Sequence, residues 1–128
     1  MPSTELLVTE LRGHLTRDEL ERSLARIVPE LERVEAKVAV LIDCREMAGY
    51  DLDARHAFVE WNSRWRDRIH KVAIVTSNRL YHVVISGMAL ASGQAMRGFA
   101  DAEQAEVWAR VVARPRERDQ AEARPRDR

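Results

Sequence analysis

One run of five apolar residues, Val38-Ala39-Val40-Leu41-Ile42, closed by Asp43, does most to limit what this chain can fold into. Rich in β-branched side chains and too short for a buried helix, it reads as a strand covered on both faces, central in a sheet flanked by helices. Val72-Ala73-Ile74-Val75 repeats the pattern and supplies a second such strand. Around these runs the apolar period changes to three and four. Leu20, Leu24, Ile27, Val28 and Leu31 share one helical face, as do Ala54, Ala57, Phe58, Trp61 and Trp65, and then Leu80, Val84, Gly87, Met88 and Ala91. Strands alternating with helices predict an α/β fold: a mixed, mainly parallel sheet of four to five strands with about four helices packed on it.

Local signals set the expected boundaries. Leu6 to Leu11 reads as a first strand that Gly13 ends, and Thr16 three residues before Glu19 has the spacing of a capping box that opens a helix. Pro29 interrupts that helix, because an interior proline costs about 3 kcal/mol, and predicts a kink or a restart with Pro29 in a new first turn. The stretch from Cys44 to Leu52 contains Gly49 and reads as a loop, with Asp53 as N-cap of the next helix. The helix after Asn78 carries Val83 and Ile85 beyond its single stripe, which predicts that most of it is covered. Met96 to Phe99 reads as a short edge strand, and Asp101 opens a last helix bearing Ala105, Val107, Trp108 and Val111.

With 128 residues the chain has room for one domain, expected over residues 1–112. From Ala113 onward six Arg alternate with four acidic residues and two Pro, so residues 113–128 read as a charged, disordered tail. The balance of 21 basic and 21 acidic residues offers no net field to draw a polyanion, which disfavours nucleic acid. The longest segment without a charged residue, Leu80 to Met96, holds His82, Ser86, Gly87, Ser92, Gly93 and Gln94 and is too polar to span a bilayer. A single cysteine and an N-terminus without a signal-peptide pattern make the cytoplasm the expected compartment. His14, His56, His70 and His82 lack metal-ligand spacing, and the scattered glycines form no phosphate loop, so neither metal nor cofactor is expected.

Gly13 with Leu15 and Thr16, then Val40-Leu41-Ile42-Asp43 before Gly49, then Lys71 to Val75, and finally Phe99 with Ala105 and Trp108 form a pattern of core, turn and cap residues. Through these positions the chain resembles the SpoIIAA-like group within the STAS and SEC14-type architecture over most of residues 6 to 111. The resemblance implies a ligand-carrying or partner-binding domain. Anti-sigma-factor antagonists of this architecture carry a phosphorylated serine at the start of the helix after the corresponding strand. No Ser or Thr stands between Arg45 and Asn62, and the matching position falls near Leu52 and Asp53, so the phosphoserine switch does not carry over.

Two candidate sites follow. Phe58, Trp61 and Trp65 on one helix and Val84 and Met88 on the next form the candidate ligand-binding set, facing each other across an apolar cleft. Core packing is the ordinary explanation of such a stripe. Asp43, Cys44, Gly49, Tyr50 and Asp53 form the candidate partner-binding set, at the strand end where open α/β sheets commonly bind ligands. The leading expectation is a non-enzymatic binding module whose partner is a small apolar molecule, a protein or a second copy of itself. The alternatives are an anti-sigma-factor antagonist working without phosphorylation, and a small hydrolase or transferase using Cys44, for which an inert buried thiol is the commoner reading.

Overall fold

The computed structural model describes residues 4–111, and the charged segment 113–128 lies outside them. Four strands, β1 (Leu6–Leu15), β2 (Val38–Tyr50), β3 (Ile69–Val75) and β4 (Met96–Phe99), form one sheet in the order β1-β2-β3-β4 with every neighbouring pair parallel. Parallel neighbours need crossovers. These are made by α1 (Arg17–Ala25) and α2 (Val28–Arg33), by α3 (Leu52–Arg64) and by α4 (Arg79–Ser92), and α5 (Ala102–Arg110) follows β4.

The two apolar runs are the two inner strands, as their composition requires. Along β2 and β3, alternate residues enter different cores: Val38, Val40, Ile42, Val72 and Ile74 join α1, α3 and α4, whereas Ala39, Leu41, Ala73 and Val75 join α5. The second core is thin and closed. Ala39, Ala73, Ala105 and Ala109 are all wholly buried, so methyl groups let α5 lie close on the sheet, with Phe99 and Trp108 in ring contact at its margin. On that stripe the sequence reading needs adjustment: Val107 points to solvent, and Ala109 takes the buried place.

Helix starts follow the expected chemistry. The Thr16 hydroxyl accepts from the Glu19 amide at 3.2 Å, Asn78 Oδ1 from Leu80, and Asp101 Oδ1 from Glu103. Pro29 does restart the helix, in the first turn of α2, and leaves Leu31 buried. The carboxyl end of α2 is closed from a distance, since the Arg68 guanidinium donates to the carbonyls of Leu31, Glu32 and Val34. Lys71 does the same for α5, donating to the carbonyls of Trp108 and Val111 at 2.9 Å beneath the Trp108 ring.

Three expectations are corrected. Gly13 does not end β1: it sits inside the strand at φ +64°, a left-handed backbone that a glycine adopts without steric cost. The segment after Asp43 is not a loop but the second half of β2, paired with β1 as far as Leu15 opposite Tyr50. The helix after Asn78 is less covered than expected, because Leu80, Val83 and Leu90 are 74%, 71% and 87% exposed.

Candidate functional site

β2 pairs with β3 only as far as Asp43 opposite Val75, so the last seven residues of β2 run on with β1 alone. This two-stranded extension carries two register shifts. Cys44 and Arg45 together stand between pairs where β1 has only Leu11, and Ala48 is an extra residue between Met47 and Gly49. Each extra residue is absorbed as a β-bulge, which bends the strand and resets its alternation. Inward positions on β2 are therefore Ile42, Cys44, Met47 and Tyr50, spaced by two and then by three, opposite Leu11 and Leu15 of β1.

These six side chains form one wall of a pocket. The other wall comes from the first two turns of α3, through Ala54, Arg55 and Phe58, and from the first three turns of α4, through Tyr81, Val84, Ile85 and Met88, with Leu20 of α1 and Ile74 of β3 completing the lining. α3 and α4 run back against the strands, so their amino-terminal halves lie over the carboxyl ends of the strands, where open α/β sheets bind ligands. The cavity is about 70 Å³ and its wall is apolar. A space of that size and lining has no partners for water, and it leaves the lining without part of its dispersion contacts.

The groups around it are poised differently. Cys44 is 8% exposed, and burial, with a contribution from the neighbouring Asp43 charge, pushes its thiol up to about 12. It is a neutral apolar lining group at ordinary pH rather than a thiolate nucleophile. Tyr50 and Tyr81 meet edge to face with ring centroids 5.6 Å apart, and burial, followed by the nearby Tyr50 and Cys44, raises the Tyr81 phenol. At the tip of the extension, His14 Nε2 lies 2.7 Å from Asp51 Oδ1, tying the end of β1 to the start of α3. Asp51, not Asp53, occupies the N-cap position of α3, and its carboxylate is engaged by His14 instead of the helix amides.

The structure thus redistributes the expected residues. Phe58, Val84 and Met88 of the ligand set line the pocket together with Cys44 and Tyr50 of the partner set. Trp61 and Trp65 do not. They sit at the far end of α3, where the Trp65 carbonyl accepts from Ile69 at the start of β3, and they pack in the main core. Asp43 faces the other way. Arg45 grips it through Nε at 3.0 Å and Nη2 at 2.7 Å, and that hydrogen bonding holds the Asp43 carboxyl below the usual carboxylate range. Gly49 lies against the His14 ring, where a Cβ would come within 3.2 Å of Nδ1, and Asp53 is exposed in the first turn of α3.

Leu11, Leu15, Met47, Arg55 and Tyr81 are lining residues that sequence reading missed. The signal for the first three was present as Cys44, Met47 and Tyr50 at intervals of three beside a Leu11, Leu15 pair, but a period of three does not read as a strand. Among the described residues no group of three His, Cys, Asp or Glu side chains is placed to hold a metal ion, and no helix is long and apolar enough to cross a membrane.

The family model described as SpoIIAA-like matches residues 6–110. The crystal structure of an uncharacterized protein of the DUF3478 family from Shewanella loihica PV-4, described as having a SpoIIAA-like fold, superposes with a TM-score of 0.67 at 20% identity, covering 81% of this chain and 83% of that one. No curated protein matches the chain.

Proposed function

Since the chain belongs to the SpoIIAA-like family, we propose that it is a non-enzymatic, cytoplasmic binding module that holds a small apolar molecule between α3, α4 and the carboxyl halves of β1 and β2. The observation that carries this reading is the unfilled apolar space at the carboxyl end of the sheet, because native cores close such gaps to near-crystalline density. Its position supports the reading further: the lining comes from six separate elements, and both helices that form one wall present their first turns there. The ligand set is Phe58, Val84 and Met88 joined by Cys44 and Tyr50, with Trp61 and Trp65 as the packing that fixes the far end of α3.

The state of Cys44 supports the non-enzymatic half of the proposal. A thiol titrating near 12 is almost fully protonated at neutral pH, and a hydrolase or transferase built on it would need a base to ionise it. The first turn of α3 carries Leu52 and Asp53 rather than a hydroxyl, which supports a role without serine phosphorylation.

Native mass spectrometry of the full chain purified from its own host tests the proposal. A retained small molecule is expected, and it should be lost from Ala54→Leu, which fills the space from the α3 side. Wild-type protein that carries nothing and shows no binding to any small apolar probe would overturn it.

A protein partner is a second reading, favoured by one feature. Leu80, Val83 and Leu90 lie along the outer face of α4, so the helix that walls the pocket is apolar on both sides. On this reading a regulatory protein or a second copy of the chain covers α4, and size-exclusion chromatography with light scattering on wild type and Leu90→Ser separates a self-association from a monomer.

A further inference from the structure

Arg55 is the only charged side chain among the lining residues of the pocket. It is half-buried, one turn into α3, and contributes to a wall that is wholly apolar, so its aliphatic stem faces the cavity while its guanidinium stands beyond the wall. The nearest carboxylate in sequence on the same helical face is Asp51, and His14 already holds it at 2.7 Å. Among the described residues Arg55 has no ion pair or side-chain hydrogen bond, and neither do the hydroxyls of Tyr50 and Tyr81, the two tyrosines that also line the pocket. Arg45, Arg33 and Arg68, by contrast, are engaged with Asp43, with Glu30 and with three carbonyls. A dry pocket bordered by an unengaged guanidinium and two unengaged phenols has the composition of a site for a molecule with two ends.

We infer that the pocket takes a small amphiphile bearing a carboxylate: an apolar body enters the cavity and the acid group remains outside it, against Arg55. This rests on the apolar-pocket reading above and narrows it to a ligand class. The cavity of about 70 Å³ sets the size of the buried part, since it has room for about five water-sized groups, which corresponds to a short alkyl chain or a single ring rather than a long acyl chain. A guanidinium matches a carboxylate with two parallel hydrogen bonds, which fixes the orientation of the molecule as well as adding affinity. Asp51 limits the fit from the other side, because its carboxylate lies one helical turn from Arg55, with its Oδ1 already held by His14 Nε2.

Calorimetric titration of the full chain with hexanoate and with 1-hexanol at neutral pH and low salt tests both levels separately. The two probes share an apolar body and differ in the head. Hexanoate is expected to bind about tenfold more tightly, the scale of a hydrogen bond to a charged group, and the preference should shrink as salt is raised. In Arg55→Gln the preference should disappear while 1-hexanol binds as in wild type. Equal affinities for the two probes in wild type, or a preference for hexanoate that Arg55→Gln retains, would overturn the carboxylate assignment and leave the apolar pocket standing. Binding of neither probe would overturn both. Lengthening the chain from butanoate should strengthen binding about fourfold per methylene until the cavity is full, and a series that rises unchanged to decanoate would overturn the stated size.

Discussion

The two faces of the sheet are built from the same strands and come out different. On the α5 face, four alanines at zero exposure bring helix and sheet into close contact. On the α3 and α4 face, large side chains from six elements meet around a gap, and α4 exposes three large apolar residues on its far side. Small residues at an interface allow one tight arrangement. Large ones that must converge from several elements leave room that a ligand can use, and the contrast teaches that the capacity to bind here comes from the convergence rather than from apolar content.

The largest expected effect lies on the closed face. Ala105→Leu should destabilise the protein by about 3 kcal/mol in chemical denaturation, because the added branch has nowhere to go without moving α5. A cost below about 1 kcal/mol would mean that the two faces are equally compliant. The bulged extension that frames the open face comes next. Gly13→Ala should cost about 1–2 kcal/mol from its left-handed backbone alone, since a Cβ there meets nothing within 4 Å.

The Asp43 and Arg45 pair on the outer side of β2 should contribute a small stabilisation, screened by solvent at the exposed arginine, with a defined pH dependence. The folded carboxyl titrates below its unfolded value, so its contribution is complete above the ordinary Asp range and is lost as pH falls through the folded value. Asp43→Asn should therefore be less stable than wild type at pH 7, with the gap closing as pH drops below about 4. A gap that persists at pH 2 would contradict the ion-pair account. On the open face, Ala54→Leu should cost less than about 1 kcal/mol, because the cavity it enters is available, in contrast to Ala105→Leu. The smallest effect belongs to the outer side of α4, where Leu90→Ser should change the unfolding free energy of a monomer by no more than about 0.5 kcal/mol, and a larger loss would indicate a face that is buried in solution.

Much of the frame that both faces share was legible from residues alone. The two β-branched runs, the Thr16 cap, the restart at Pro29 and the Asp101 cap each express a single strong local rule, and nothing in the tertiary structure competes with it. The open half was less legible for specific reasons. Cys44, Met47 and Tyr50 fall at intervals of three because bulges absorb the extra residues, and a bulge has no signature in a single sequence. Asp51 and Asp53 both suit an N-cap, and the contest is decided by the distant His14. α4 has apolar residues all round, which ordinarily signals full burial, and only the position of α4 on the outside of the sheet shows that its second face is open.

The two extra residues of β2 have a consequence for how the chain tolerates changes in length. Because each is taken up locally, removing Ala48 would restore simple pairing between Met47 and the residues after it and still leave Tyr50 opposite Leu15, facing the pocket. Removing Leu41, which is evenly paired with Val8 of β1 on one side and Ala73 of β3 on the other, would instead put its neighbours out of phase with both strands and turn their side chains to the wrong faces. A gap at Ala48 and a gap at Leu41 would thus have opposite meanings when relatives are aligned, and the strand has spare letters in its bulged half and none in its evenly paired half.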